Sequence, residues 1–308
     1  MTRNILFIMT GAGSWTLNDG SSHKTGFWAE EAVAPLEVFR AAGYKVTVAT
    51  PNGAKPPVDE TSLAVESIGT PERAAEIRHV VETAPELQKP IALTDVRIAD
   101  YDAVFVPGGH GPMEDLAVDA DAGALLIAAD EAQLPLGIVC HGPAILLAAN
   151  NSDGVNAFAG RTVTGFSNAE EEQAGLADKA PWLLQDRLTQ AGFKVTLAEP
   201  WTVHIETDGN LLTGQNPASS ESLARTLLGA LPELDSMAVV SIIAALEDAG
   251  VPAGPINSVA DALAEPQIEA RGLRIAPEGI AGLRTPIAFS RSRLVLDRAA
   301  PLLPDREP

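Results

Sequence analysis

The sequence predicts an α/β fold built on a doubly wound, mostly parallel sheet, and three observations carry that expectation. Short apolar runs recur along the first 230 residues, each stopped by a turn signal. Segments of helical composition alternate with them, closed by glycines. The first such unit, strand–helix–strand, has the spacing of a parallel pair joined by a right-handed crossover.

Residues 4–9 (NILFIM) form the first buried strand, followed at once by Gly11-Ala12-Gly13. A helix is predicted from about Phe27 to Ala42, with Gly43 past its end, and KVTVA at 45–49 is the second strand. AVFV (103–106) and LGIV (136–139) are two further strands, separated by an alanine- and leucine-rich helix over 119–133. A strand near Thr162–Thr164, a helix near Trp182–Ala191 and KVTLA at 194–198 continue the pattern. Asp208-Gly209, flanked by 203–207 and 211–213, is a hairpin signal, and a helix from about Ala218 to Leu231 closes the unit.

Beyond Leu231-Pro232 the character changes: no lysine follows Lys194, and Phe289 is the only aromatic after Trp201. Residues 236–249 predict a helix stopped by Gly250 and Pro252, and Ser258 could cap a short helix ending before Pro266. The rest is broken by arginine, proline and glycine. The expected organisation is therefore 1–231 as the main domain and 232–308 as a helical and irregular extension too small to bury a core of its own.

The formal charge of -20 disfavours nucleic acid and anionic lipid as partners. A single cysteine excludes an internal disulfide framework and a multi-thiolate metal site. The five histidines (23, 79, 110, 141 and 204) show no metal-ligand spacing. The apolar run at 5–9 is too short for a signal-peptide core, and no stretch approaches twenty apolar residues, so a cytoplasmic location without membrane contact is the expectation.

LGIVCHGPAILLAA places Cys140 where a buried strand ends and a helix begins. A turn of this kind can expose a nucleophile at the sheet's carboxyl edge. A helix amino terminus there would favour thiolate, and lowering a thiol pKa from about 8.5 to below 7 corresponds to roughly 2 kcal/mol. A lone cysteine is otherwise a small buried hydrophobe; the adjacent His141 and the helix-start Pro143 favour the reactive alternative. The second feature is Pro107-Gly108-Gly109-His110-Gly111-Pro112 after the strand at 103–106. Its glycines could turn N–H groups toward a ligand, or it could be a plain turn. No lysine–serine or lysine–threonine pair follows to make it a phosphate loop.

Five segments in order, KTGFWAEEAVAP (24–35), VFVPGGHGPMEDL (104–116), IVCHGPAIL (138–146), TVTGFSNAEEE (162–172) and LLTGQNPASSES (211–222), resemble the DJ-1/PfpI superfamily. Within it they resemble the Hsp31-like, glutathione-independent glyoxalase branch. That resemblance implies a flavodoxin-like sheet and a Cys140 nucleophile with Glu31 against it. It also implies a His141 paired with Glu171, although Glu30 lies beside the first acid and Glu170 and Glu172 beside the second. Backbone N–H groups of the Gly108-Gly109-His110 loop and of the Cys140–His141 turn are the implied oxyanion and substrate contacts. The implied substrate is a small 2-oxoaldehyde such as methylglyoxal, converted to lactate through a hemithioacetal, with no cofactor and no metal; a homodimer is implied by the resemblance alone. Deglycation, isonitrile hydration, amide hydrolysis, a holdase role and redox sensing at Cys140 remain alternatives on the same residues. His204-Ile205-Glu206 resembles the His–x–Glu pair of glutamine amidotransferases, but His141 and the KTG segment favour the Hsp31-like branch. AGVPAGPINSVADALAEPQIEARGLR (249–274) and LRTPIAFSR (283–291) resemble the end of family III (CaiB/BaiF) CoA-transferases without the region that bears their catalytic aspartate.

Overall fold

The computed structural model describes residues 3–231 together with a few positions between 268 and 283. Its compact units are Met1–Pro232 and Glu233–Pro308. In the first, strands β1 (Asn4–Ile8), β4 (Lys45–Thr50), β5 (Ile91–Ala92), β6 (Ala103–Val106), β7 (Leu136–Val139), β10 (Ile205–Asp208) and β11 (Leu211–Gly214) form one seven-stranded sheet. Its order is β10-β11-β7-β6-β1-β4-β5. All pairs are parallel except β10 with β11, the hairpin that turns at Gly209 with φ 62°. The sequence β4-β1-β6-β7-β11 is the doubly wound 2-1-3-4-5 order, whose binding crevice lies at the carboxyl ends of the strands.

β6 and β7 match their sequence-predicted limits because a strand covered on both faces reads as an unbroken apolar run. Every residue of both is buried, and Phe105 packs on Phe7 of β1 with ring centroids 5.1 Å apart. The helix Ala29–Ala41 ends at the predicted place, with Gly43 at φ 81°. Asp119 caps the helix Ala120–Glu131 by accepting from the Ala122 N–H. The helix expected from about Ala218 runs Ser220–Ala230.

Two expectations are corrected. The predicted strands near 162–164 and 194–198 shorten to β8 (Thr162–Val163) and β9 (Lys194–Val195), which pair with each other outside the main sheet. The Thr196 N–H still donates to Val163 O (2.9 Å), and beyond the pair side chains accept from the backbone: Thr213 Oγ1 from the Thr164 N–H and Gln215 Oε1 from the Ala198 N–H. The helix expected after Cys140 is the 3₁₀ segment Gly142–Ala148. A second small hairpin, β2 (Ser14–Thr16) with β3 (Ser22–Lys24), and the helix Pro71–Thr83 were not assigned from the sequence.

In the second unit, Arg274–Ile275 pairs antiparallel with Gly282–Leu283. The helices expected over 236–249 and after Ser258 lie outside the described residues. No described helix is long and apolar enough to cross a membrane.

Candidate active site

Cys140 follows β7 directly and holds φ at +60°, a left-handed conformation that costs a non-glycine residue of order 1 kcal/mol or more. Bonds on both sides hold it there: the Cys140 N–H donates to Gly214 O (2.9 Å) and the Phe166 N–H to Cys140 O (2.8 Å). The turn requires glycines around it. A Cβ on Gly108 would lie 2.6 Å from His141 N, and one on Gly109, at φ +84°, 2.4 Å from Gly26 O.

Glu31 sits in the first turn of the helix Ala29–Ala41 and is fully buried. Its placement is set by the KTG segment. A Cβ on Gly26 would lie 2.0 Å from Pro57 O, so only glycine lets this strap pass, and the Trp28 N–H then donates to Gly108 O (3.2 Å). Pro35, four residues on, removes the intrahelical donor that would otherwise meet the Glu31 carbonyl. The Gly108 N–H donates to Glu31 Oε2 at 2.7 Å, while Oε1 is buried without a hydrogen-bond partner among the described residues. The Cys140 thiol is the neighbouring group able to fill that gap. Burial pushes the Glu31 carboxyl up to about 8, opposed in part by the neighbouring Cys140 thiol and the Gly108 N–H. At neutral pH the carboxyl therefore keeps its proton, and Oε1, the oxygen free of Gly108, is the one to carry it.

His141 and Glu171 complete a chain with the thiol. Cys140 Sγ lies 3.5 Å from His141 Nδ1, and His141 Nε2 lies 2.7 Å from Glu171 Oε2. Burial, and then the neighbouring His110, lower the His141 pKa, keeping the ring neutral. Glu171 is held well below the usual carboxylate range: burial works against ionisation, but His141 and His110 outweigh it. An ionised carboxylate only accepts, so His141 Nε2 carries the hydrogen and Nδ1 presents its lone pair to the thiol. The acidic run divides its labour. Glu171 faces the histidines, whereas buried Glu170 closes a capping box with Ser167 and accepts from the Trp201 N–H (2.9 Å) and Asn216 Nδ2 (2.9 Å).

Three sequence expectations change here. A thiol pKa below 7 does not hold: burial, then the charge of Glu31 when ionised, push Cys140 well above the ordinary thiol range, with the Gly109 N–H alone among the larger influences pulling it down. The 3₁₀ turn after the cysteine supplies less dipole than the expected helix. Gly108 is not a free oxyanion donor, because its N–H is committed to Glu31; the Gly109 N–H is the loop donor that favours the thiolate. His110 contributes its ring, with Nε2 2.9 Å from Glu171 Oε1.

Trp15, stacked on His110 (5.1 Å, 18°), and His23, edge-on to it (5.9 Å, 87°), were missed because β2 and β3 are too short to give a periodic signal. On the other side His141 packs on Phe166 (4.4 Å), and Phe166 on Trp201 (5.4 Å). Two groups have the composition and proximity to hold a metal: His23, Asp59 and His110, and His110, His141 and Glu171, each with ligand atoms within 4.8 Å of one another. His204 Nε2 lies 3.4 Å from Glu206 at the β10 edge.

The DJ-1/PfpI family profile matches residues 23–230. The chain belongs to the DJ-1/PfpI family. It is 36% identical over 145 residues to the probable glutathione-independent glyoxalase hsp3104 of Schizosaccharomyces pombe, a match spanning 45% of this chain and 64%, less than two thirds, of that relative's length. It is 28% identical to glyoxalase 3 of Candida albicans over 232 residues, 73% of this chain and 97% of the relative. It is 29% identical to the protein/nucleic acid deglycase HchA of Staphylococcus aureus over 220 residues, 68% of this chain and 73% of the relative. Among solved structures, glyoxalase III of Candida albicans superposes with a TM-score of 0.64 at 26% identity, covering 75% of this chain and 98% of that one. These matches place the chain in the DJ-1/PfpI family, beside relatives named glyoxalase and deglycase; the CoA-transferase resemblance of the tail stays an expectation.

Proposed function

We propose that this DJ-1/PfpI family member converts methylglyoxal or a related 2-oxoaldehyde to the 2-hydroxy acid without glutathione, with Cys140 as nucleophile. The observation that carries the proposal is the unbroken contact from Sγ through His141 to Glu171, with fully buried Glu31 near the thiol. Its relatives named glyoxalases support the reaction class.

The thiol is not pre-ionised, so attack and proton removal are coupled. Sγ adds to the aldehyde carbon as His141 Nδ1 takes the thiol proton, while protonated Glu31 hands its proton to the aldehyde oxygen, giving a neutral hemithioacetal. The Gly109 N–H, the loop donor that favours the thiolate, stabilises charge on that oxygen in transit. Glu31, now a carboxylate, removes the hydrogen on the same carbon, and the electron pair forms an enediol as the neighbouring ketone oxygen gains a proton from His141. Glu31 returns the proton to the neighbouring carbon and takes up the hydroxyl proton of the sulfur-bearing carbon, which collapses the enediol to a thioester. Water, deprotonated by His141, releases the hydroxy acid and the thiol. Atoms balance as aldehyde plus water to acid.

The name deglycase on the HchA relatives favours a second substrate on the same groups, the hemiaminal of a glycated amine. The deciding experiment is a glutathione-free assay with methylglyoxal that follows lactate. Wild type turns over, while Cys140→Ala loses activity and Glu31→Gln falls by about 100-fold or more. Equal rates in all three proteins would defeat the proposal.

A further inference from the structure

The geometry points to a metal site next to the candidate nucleophile: His23, Asp59 and His110 bind one divalent transition-metal ion of the zinc class. The three residues come from separate segments, the β3 strand, the stretch after Val58 and the loop after β6, which is why sequence spacing hides them. One ligand atom from each lies within 4.8 Å of the others. A tetrahedral zinc with bonds near 2.0–2.1 Å needs them roughly 3.3 Å apart, a contraction of an ångström or so.

Each ligand is prepared for the task by a partner behind it. Glu171 Oε1 accepts from His110 Nε2, fixing the tautomer and leaving Nδ1, which makes no hydrogen bond among the described residues, with its lone pair free. A carboxylate behind a histidine is the usual outer support of a zinc ligand. Trp15, stacked on the same ring, sets its plane. Asp59 is buried, and its carboxylate is pinned by Thr25 Oγ1 on Oδ2 (2.9 Å) and by the Thr61 N–H (3.0 Å) and Oγ1 (2.5 Å) on Oδ1. Three donors on four lone-pair positions leave Oδ2 able to take one more partner. His23 is half-buried, which gives the ion an approach from solvent, and its ring stands perpendicular to His110, so the two can converge on one point without overlap.

Two imidazoles and one carboxylate suit zinc, cobalt, nickel or copper and disfavour magnesium and calcium, which take oxygen ligands. A three-ligand set leaves a fourth position for water. Occupation reaches the nucleophile through Glu171: a cation on Nδ1 makes His110 Nε2–H a stronger donor to Oε1, draws charge from the Oε2–His141 bond and weakens His141 as a base. That consequence rests on the role proposed for His141; the binding itself does not.

The test is calorimetric titration of the chelator-treated full chain with zinc, with cobalt absorption as the report on geometry. About one ion per chain should bind wild type and Cys140→Ala alike, with tetrahedral cobalt bands. His23→Gln, a half-buried position whose substitution circular dichroism can show to leave the fold intact, should weaken binding by more than about tenfold, and His79→Gln should not. Absence of binding to wild type overturns the proposal. So does binding that survives His23→Gln but is lost in Cys140→Ala, which would place the ion on the thiol.

Discussion

Glu31 is a carboxyl group that the fold holds at its own expense, and replacing it should show this as a stability that depends on pH. Its pKa rises from 4.5 in the ordinary state to about 8 in the folded protein, chiefly through burial. A raised pKa means that the folded form binds the proton more tightly. The group is therefore harmless below about pH 4.5 and increasingly destabilising as pH climbs toward and through 8, where the unfolded chain ionises freely and the folded chain does not. At about 1.4 kcal/mol per pKa unit, the penalty is about 1 kcal/mol at pH 5, about 3 at pH 7 and about 5 above pH 9. Glu31→Gln keeps the shape and the acceptor for the Gly108 N–H but cannot titrate. Cys140, pushed upward, stays protonated through the window and does not blur it. Urea unfolding at pH 5, 7 and 9 should thus find the variant's stability relative to wild type growing by about 3 kcal/mol or more across the series. The absolute offset depends on how the amide is accommodated; the slope does not. A difference that is flat with pH would refute a buried, proton-bearing Glu31.

The same carboxyl should shape activity: kcat/KM should fall above about pH 8 as Glu31 loses the proton it donates, and a residual rate in Glu31→Gln should lack that limb. Glu171→Gln should lower kcat by about 100-fold, measured by steady-state turnover, because an amide cannot accept from both His110 and His141 and no longer fixes the lone pair on His141 Nδ1. In thermal or urea melts it should also cost about 2 kcal/mol above pH 5, by leaving buried donors unpaired. Gly109→Ala should destabilise by more than about 2 kcal/mol, since a Cβ at φ +84° would meet Gly26 O at 2.4 Å; a melt within error of wild type would contradict the close approach of the two loops.

Much of this was legible from the residues because it is written locally. The β6 and β7 limits follow from uninterrupted apolar runs, the end of the helix Ala29–Ala41 from Gly43, and the β10–β11 turn from Asp208-Gly209. Cys140, His141 and Glu171 lie in one line of contacts, with Glu31 buried near the thiol. What stayed hidden depends on pairs far apart in the chain. The commitment of the Gly108 N–H to Glu31 spans 77 residues, and no local pattern distinguishes it from a free donor. The thiol's upward shift is likewise a property of enclosure: a strand-to-helix junction reads as electropositive in sequence, while burial beside a carboxyl reverses the outcome. β8 and β9 read as sheet strands because their composition is right, yet Thr213 and Gln215 side chains satisfy the donors that a longer ladder would have used. His23 and Asp59 gained meaning only when the β2–β3 hairpin brought them to His110.

The central claim is that bond formation begins at sulfur. Brief exposure to methylglyoxal, acid quenching and low-pH peptide mass mapping would test it directly, because a lactoyl thioester survives acid. The account predicts a lactoyl thioester on the peptide bearing Cys140 in wild type, and much less of it in Glu31→Gln, which lacks the proton transfers that form it. Modification confined to lysine and arginine side chains while lactate still forms would contradict it.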